Sequence, residues 1–359
     1  MDDTTIEPAA IGSSKVNHFS GVNRALVFVK PHACVPECIG FVRECLENNG
    51  VRVIRELART GNRIEKSIDD HYAIPGGPAV VDSPHELFIP DTAKDSFRQK
   101  FGEDWDHVLR ENRVMNAKSF AKRYDDVDLP HEWDHEETIK VRMGTGTKVA
   151  KLVNADAKHD RKHHYVINGF YLAMRERFVK ENALVHFFTV EFDENKISWS
   201  CFRNEIIGGT DPSKAMKGSI RNLIYEDWER LGLDSIPDYG NNGVHASAGP
   251  IEAFRERLLW DDEFIDDPFN EINIRNDNLG GQLIAAGITM QTIHALINNA
   301  DIETKSNTGI LNSAFDATEN LNTSDAIELI KNITRVKHEQ KARRTRLIDK
   351  SSKLSCKVS

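Results

Sequence analysis

Residues Ala25-Leu26-Val27-Phe28-Val29 make an unbroken apolar run that stops at Lys30-Pro31. Its length and its β-branched and aromatic content read as a buried strand. Cys38, Phe41, Val42, Cys45 and Leu46 then recur at helical spacing, and Asn49-Gly50 stops that helix. Val51 to Leu57 reads as a second strand and Glu65 to Tyr72 as a short helix. Downstream, Phe170, Leu172, Ala173 and Met174 lead a helix that runs to about Val179. Leu184 to Phe192 is strongly β-prone and is closed by the turn Asp193-Glu194-Asn195. Ile206-Ile207-Gly208-Gly209 opens a loop, and Ile251, Phe254 and Leu258 place a helix after His245. The order β-α-β, helix, β, helix predicts an α+β sandwich with helices on one face of an antiparallel sheet.

This frame spans residues 23–262 and is interrupted. Pro75-Gly76-Gly77-Pro78 and Ser83-Pro84 mark turns, and charge is dense in Lys158-His159-Asp160-Arg161-Lys162-His163-His164. Residues 74–164 therefore read as an inserted segment, partly structured, with solvated faces. Within it Phe97, Phe101, Trp105 and Val108-Leu109 suggest a helix with one apolar stripe. Residues 1–22 are small, polar and aperiodic, and read as a disordered lead. Residues 263–359 read as an extension with helical patterns at Leu283 to Ile297 and Ala326 to Ile333. Its basic end, Lys337 to Lys357, is expected to be loosely ordered.

No apolar run approaches the roughly 18 residues needed to cross a bilayer. The start, Met1-Asp2-Asp3-Thr4-Thr5, is acidic and lacks an apolar h-region, so a cytoplasmic location is expected. The net charge of −9 argues against nucleic acid as the main partner, since phosphate neutralisation needs an excess of Lys and Arg. It leaves nucleotides open, because they need only a local cluster of cations. The five cysteines are odd in number and form no CxxC pair, so they read as small buried hydrophobes in a reducing compartment.

The chemistry gathers in Asn242-Gly243-Val244-His245-Ala246-Ser247, followed by Glu256 and Trp260 and preceded by Gly218-Ser219-Ile220-Arg221 and Val29-Lys30-Pro31. An imidazole with a pKa of about 6.5 is mostly neutral at cellular pH. One ring nitrogen is then free to attack phosphorus, while the other needs an acceptor that fixes the tautomer. Glu256 is a candidate acceptor for His245. The helix that follows begins near Gly249-Pro250, with Pro at a favourable first-turn position and Ser247 a candidate cap. Its N-terminus favours negative charge. Lys30 at a strand end and Arg221 after a Gly-Ser turn are suitable cations for the equatorial oxygens of a transferring phosphoryl group.

Taken in order, these residues resemble the nucleoside diphosphate kinase family. The strand with Lys30-Pro31, the helix, the second strand and the helix ending at Tyr72 resemble its first half. Leu184 onward, Gly209-Thr210-Asp211-Pro212, Lys217 to Arg221, and Asn242 through Trp260 resemble its second half. The resemblance covers about 24–72 and 165–262. It implies a ferredoxin-like fold and ping-pong transfer through phosphohistidine, from a magnesium-bound nucleoside triphosphate to a nucleoside diphosphate. By position it makes His245 the nucleophile and Glu256 its orienting carboxylate. Lys30, Tyr72, Thr210, Arg221 and Asn242 would hold phosphates and sugar, and Phe170 would stack on the base. Magnesium would be held through the nucleotide phosphates, with no protein ligand, and a homo-oligomer is implied. The chain departs from the family at Ala246, Ala248 and Asn204, although Arg203 is adjacent to the last, and its loop Asn222 to Asn241 is longer. These departures keep open a second reading, a nucleotide-binding or scaffold module with weak or absent turnover.

Two rival motifs stand elsewhere. His131-Glu132-Trp133-Asp134-His135 fits H-E-x-x-H, which on a helix would place two imidazoles on one face for zinc. Pro130 precedes it and no apolar helix surrounds it. Gly144-Thr145-Gly146-Thr147-Lys148 lacks the P-loop spacing and reads as a flexible turn.

Overall fold

The computed structural model describes residues 21–60, 62–87, 89–144, 146–152, 165–260 and 267–337. The expectations for a disordered lead up to residue 20, for the charge run at 158–164 and for the basic end beyond 337 fall outside those residues, while Val22, expected in the lead, is the first residue of a strand. In chain order the strands are β1 Val22–Val29, β2 Arg52–Thr60, β3 Val114–Asn116, β4 Ile139–Gly144, β5 Thr147–Lys151 and β6 Tyr165–Ile167. They continue with β7 Leu184–Asp193, β8 Val244–Ala246, β9 Asp301–Thr304, β10 Asn312–Ser313 and β11 Ile333–Lys337. Three sheets result, in a mixed α+β architecture.

The first sheet has the order β2-β7-β1-β8, and every neighbouring pair is antiparallel. Interior position explains why β1 is apolar without alternation. Leu26 and Phe28 point into a core shared with Ile64, Ile68, Ile251, Phe254 and Trp260. Ala25, Val27 and Val29 point the other way, against Cys38, Val42 and Leu46 of the helix Pro36–Asn48 and Ile220 and Ile224 of the helix Ile220–Glu226. The expectation of helices on one face is thus corrected: both faces are covered.

The second sheet, β3-β6-β5-β4, is mixed, with β3 and β6 parallel and the other pairs antiparallel. It gives the insertion a core of its own. The expected boundary at 164 cuts through this sheet, because β6 is an interior strand whose three residues are all fully buried. The single helix expected around Phe97 to Leu109 is two helices, Asp91–Phe101 and Trp105–Arg110. Gly102 ends the first at a φ of 70°, which favours glycine, and the Asp104 side chain caps the second by accepting from His107 N.

The third sheet, β10-β9-β11, lies in the extension, which was expected to be helical. Strands of two to five residues carry too little alternation to be recognised from sequence. The extension is no appendage: Leu283, Ile293, Leu296 and Ile330 share one core with Leu26 and Phe28. It also meets the turn after His245. Asn320 N donates to Ala248 O at 3.0 Å, and a Cβ on Gly249 would stand 2.5 Å from Thr318 O. Among the described residues, no helix is long and apolar enough to cross a membrane.

Candidate active site

His245 lies on β8, which pairs with β1 so that Phe28 stands opposite it. The two rings stack, with centroids 4.5 Å apart and planes at 19°. Thus the same apolar run that builds the sheet supplies a flat floor for the imidazole. Glu256 faces it from the helix Pro250–Trp260, and His245 Nε2 is 2.9 Å from Glu256 Oε1. Ser247 Oγ also donates to Oε2 at 2.6 Å, and His71 Nε2 stands 3.4 Å from Oε1. Trp260 Nε1 donates to His71 Nδ1 at 3.2 Å. That bond fixes the tautomer of His71, since a ring nitrogen that accepts carries no proton. Its Nε2 therefore carries the hydrogen and faces Glu256.

The same logic applies to His245. Nε2–H donates to the carboxylate, so Nδ1 keeps its lone pair, and among the described residues Nδ1 has no partner. Burial first, then the charges of Lys30, Arg221 and Arg203, hold the His245 pKa well below its ordinary value. Burial lowers His71 to about 3, against the opposing pull of Glu256. Both rings are neutral at physiological pH. Burial raises Glu256, and its bond from Ser247 and the nearby His71 oppose that rise. One turn earlier, Glu252 is pushed up to about 8 by burial and then by Glu256. Hydrogen bonds favour the charge on Glu256, which meets His245 Nε2 and Ser247 Oγ, over Glu252, which accepts from Ala248 N.

The cations form the other side of the site. Lys30 follows β1, and its Nζ donates to Gly240 O at 3.4 Å. Burial, then Arg221 and Arg177, lower it to about 7. Arg221 donates from Nε and Nη2 to Val244 O, at 3.2 and 2.9 Å, and from Nη1 to Gly208 O at 2.8 Å. It braces Val244, the residue before His245, while bringing charge beside that ring. Burial lowers Arg221 to about 10. Asn242 Nδ2 ties to Thr210 O at 2.9 Å, and Asn242 Oδ1 is buried without a partner. Tyr72 lies with its ring 6.5 Å from that of His245.

A cavity of about 290 Å³ opens at His245. His71, Tyr72, Glu252 and Glu256 line it together with Arg142 and Gly146 of the insertion and Phe315, Asp316 and Glu319 of the extension. Phe170, expected at the base, packs 5.7 Å from Trp133 and does not line this cavity. Ser247, expected as a helix cap, instead accepts from Leu26 N at 2.9 Å and donates to Glu256. Its neighbour Glu252 takes the amide at that end, accepting from Ala248 N at 3.1 Å. His71 and Glu252 were legible as neighbours of Tyr72 and Glu256, whereas nothing in sequence singled out Arg142 or Glu319.

His71, His245 and Glu256 bring one ligand atom each within 4.8 Å of one another, a spacing suited to a metal ion. The tautomer of His71 opposes it: the nitrogen facing the group carries a hydrogen, and the other is used by Trp260. The rival zinc motif does not form either. The helix Leu129–Asp134 ends before His135, which has an extended ψ of 136°, so its two histidines do not share a helical face. Gly144 and Thr147 are the paired ends of the β4–β5 hairpin, and Lys148 is already in β5 opposite Arg142.

No protein-family model and no curated protein matches the sequence. Similar solved structures include nucleoside diphosphate kinases. That of Encephalitozoon cuniculi is 16% identical and covers 68% of this chain and 96% of its own, with a TM-score of 0.32. That of Pyrobaculum aerophilum is 13% identical over 68% of this chain and 98% of its own, with a TM-score of 0.33. That of Borrelia burgdorferi, a transition-state mimic with vanadate and ADP, is 16% identical over 68% and 90%, with a TM-score of 0.32. At such identities and TM-scores this likeness by itself establishes neither a shared fold nor a shared activity.

Proposed function

We propose that the chain is a phosphotransferase of the nucleoside diphosphate kinase type, working through a phosphohistidine at His245. The observation that carries this reading is the 2.9 Å contact between His245 Nε2 and the buried Glu256 carboxylate. With the hydrogen on Nε2 to meet that carboxylate, Nδ1 is neutral and without a partner among the described residues, in the field of Lys30, Arg221 and Arg203. A buried neutral imidazole in a cationic field suits attack on a polyanion. The sheet order β2-β7-β1-β8 is also the one expected of a ferredoxin-like kinase core.

In the proposed step the Nδ1 lone pair forms a bond to the γ-phosphorus. The bond from that phosphorus to the β,γ-bridging oxygen breaks, and its electrons leave with the nucleoside diphosphate. No proton moves. The ring becomes a cation, which Glu256 balances through Nε2–H. A terminal phosphate oxygen of an incoming nucleoside diphosphate then attacks the phosphohistidine and restores neutral His245. Lys30 and Arg221 draw negative charge from the transferring group. Tyr72, Thr210 and Asn242 are proposed to hold phosphate and sugar, and Asn242 Oδ1 has an acceptor left to offer. Magnesium arrives on the nucleotide phosphates and offsets their charge.

A second reading, a binding module without turnover, is favoured by one observation: Arg203 is already bonded to Glu319 and Asn320. Incubation with γ-labelled ATP and magnesium, without acceptor, separates the two. Acid-labile, base-stable label on His245 that moves to an added nucleoside diphosphate supports the kinase, and His245→Ala must abolish it. Nucleotide binding with no label overturns it in favour of the module.

A further inference from the structure

Arg203 faces two ways. Its charge is among those that lower both His245 and Arg221, so it stands in the field of the nucleophile. Yet its Nη1 donates to Glu319 Oε1 at 2.8 Å and to Asn320 Oδ1 at 2.9 Å. Glu319 belongs to the extension and lines the same cavity as His245. On another wall of that cavity, Asp316 of the extension takes Arg142 of the insertion at 2.6 Å. Two cations near the nucleophile are thus each paired with a carboxylate from one short stretch of the extension.

We infer that Glu319 is an internal anion that competes with substrate phosphate for Arg203 and so determines how tightly the site binds a polyphosphate. The inference rests on the phosphotransferase reading above. A guanidinium carries five N–H donors, and the two hydrogens of Arg203 Nη1 are taken by Glu319 and Asn320. A phosphate gripped through Nη1 and Nη2 together, the bidentate fit, must therefore displace Glu319. The backbone around Glu319 is anchored, by Asn320 N on Ala248 O and by the close packing of Thr318 against Gly249. Asn322 fixes the next stretch, accepting from Asn23 Nδ2 and from Trp199 N. Displacement is then a rotation of the Glu319 side chain, which is 37% exposed, and not a lifting of the extension. A chain of phosphates has the charge to drive that rotation; a single phosphate has much less.

The test compares the full-length protein with Glu319→Gln, which keeps the shape of the contact, and with Glu319→Ala. Binding of magnesium tripolyphosphate and of ADP is measured by titration calorimetry, with label transfer to His245 followed in parallel and thermal melting used to verify folding. Glu319→Gln should bind tripolyphosphate about 10-fold more tightly, the size of one charge-assisted contact. KM for the donor nucleotide should fall with it while kcat changes little, a split that a purely structural role does not produce. Equal or weaker binding by both variants, with label still reaching His245, overturns the inference and leaves the kinase reading in place. No nucleotide binding and no label in any of the three proteins overturns the kinase reading, and the inference with it.

Discussion

Replacing Glu256 by Gln separates the charge of that residue from its hydrogen bonds. In Glu256→Gln the Oε1 position still accepts from His245 and His71. The new amide faces Ser247 Oγ, which turns its own hydrogen to Leu26 O, already 3.2 Å away. Every donor keeps a partner, so stability should change by only about 1 kcal/mol. Glu256→Ala, by contrast, leaves the two imidazole N–H groups of His245 and His71 without an acceptor, while Ser247 turns to Leu26 O, and should cost about 1–3 kcal/mol for each buried donor. The effect on transfer runs the other way. Attack turns His245 into a cation next to the carboxylate. Two unit charges about 4 Å apart attract by about 4 kcal/mol at an effective dielectric near 20. Losing most of that slows transfer on the order of 10²–10³-fold, at about 1.4 kcal/mol per factor of ten. Rapid-quench labelling of His245 by γ-labelled ATP measures the rate, and thermal melting the stability. A Glu256→Gln protein that is stable and transfers at nearly the normal rate would falsify the role of Glu256 as counter-charge.

Three further outcomes follow from the same geometry. Arg221→Ala removes a cation and the donors on Val244 O and Gly208 O, so label transfer should fall about 10²–10³-fold; Arg221→Lys restores the charge but not the fork and should recover little of it, and near-normal transfer in either rules out the assignment. Lys30, held at about 7, is mostly neutral at pH 8, and a bound polyphosphate raises it, so binding at that pH should take up roughly one proton; calorimetry in buffers of different ionisation enthalpy reads this, and uptake unchanged in Lys30→Met contradicts it. Trp260→Phe removes the donor that fixes the His71 tautomer, so zinc should bind His71, His245 and Glu256 at least about 10-fold more tightly than in the parent protein; equal zinc affinity refutes the tautomer argument.

Much of the first sheet and its covering helices was legible because their signals are local. The run Ala25 to Val29 announces a buried strand wherever it lies, and the spacing of Cys38, Val42 and Leu46 announces the helix that covers it. The pair His245 and Glu256 was legible as a nucleophile with a carboxylate, although only the packing of Pro250–Trp260 against β1 brought them to 2.9 Å. The insertion was read too simply: the stop at Gly102 is a local signal that the single-helix reading passed over, whereas the pairing of β6 depends on partners far along the chain. Phe170 illustrates the limit of carrying a role by position: it was expected at a base, and it packs beside Trp133 of the inserted segment.

The amino-acid sequence by itself determined the strand and helix periods of the core and singled out His245, Glu256, Lys30 and Arg221 as candidate site residues. Those follow from residue type and short-range spacing. Only the tertiary structure decided which nitrogen of His245 is free, because that depends on which one meets the Glu256 carboxylate. Only it placed Phe28 beneath the ring and brought Arg142 and Glu319 to the cavity. Such contacts join residues from distant parts of the chain, and no local pattern encodes the sheet register and packing that create them.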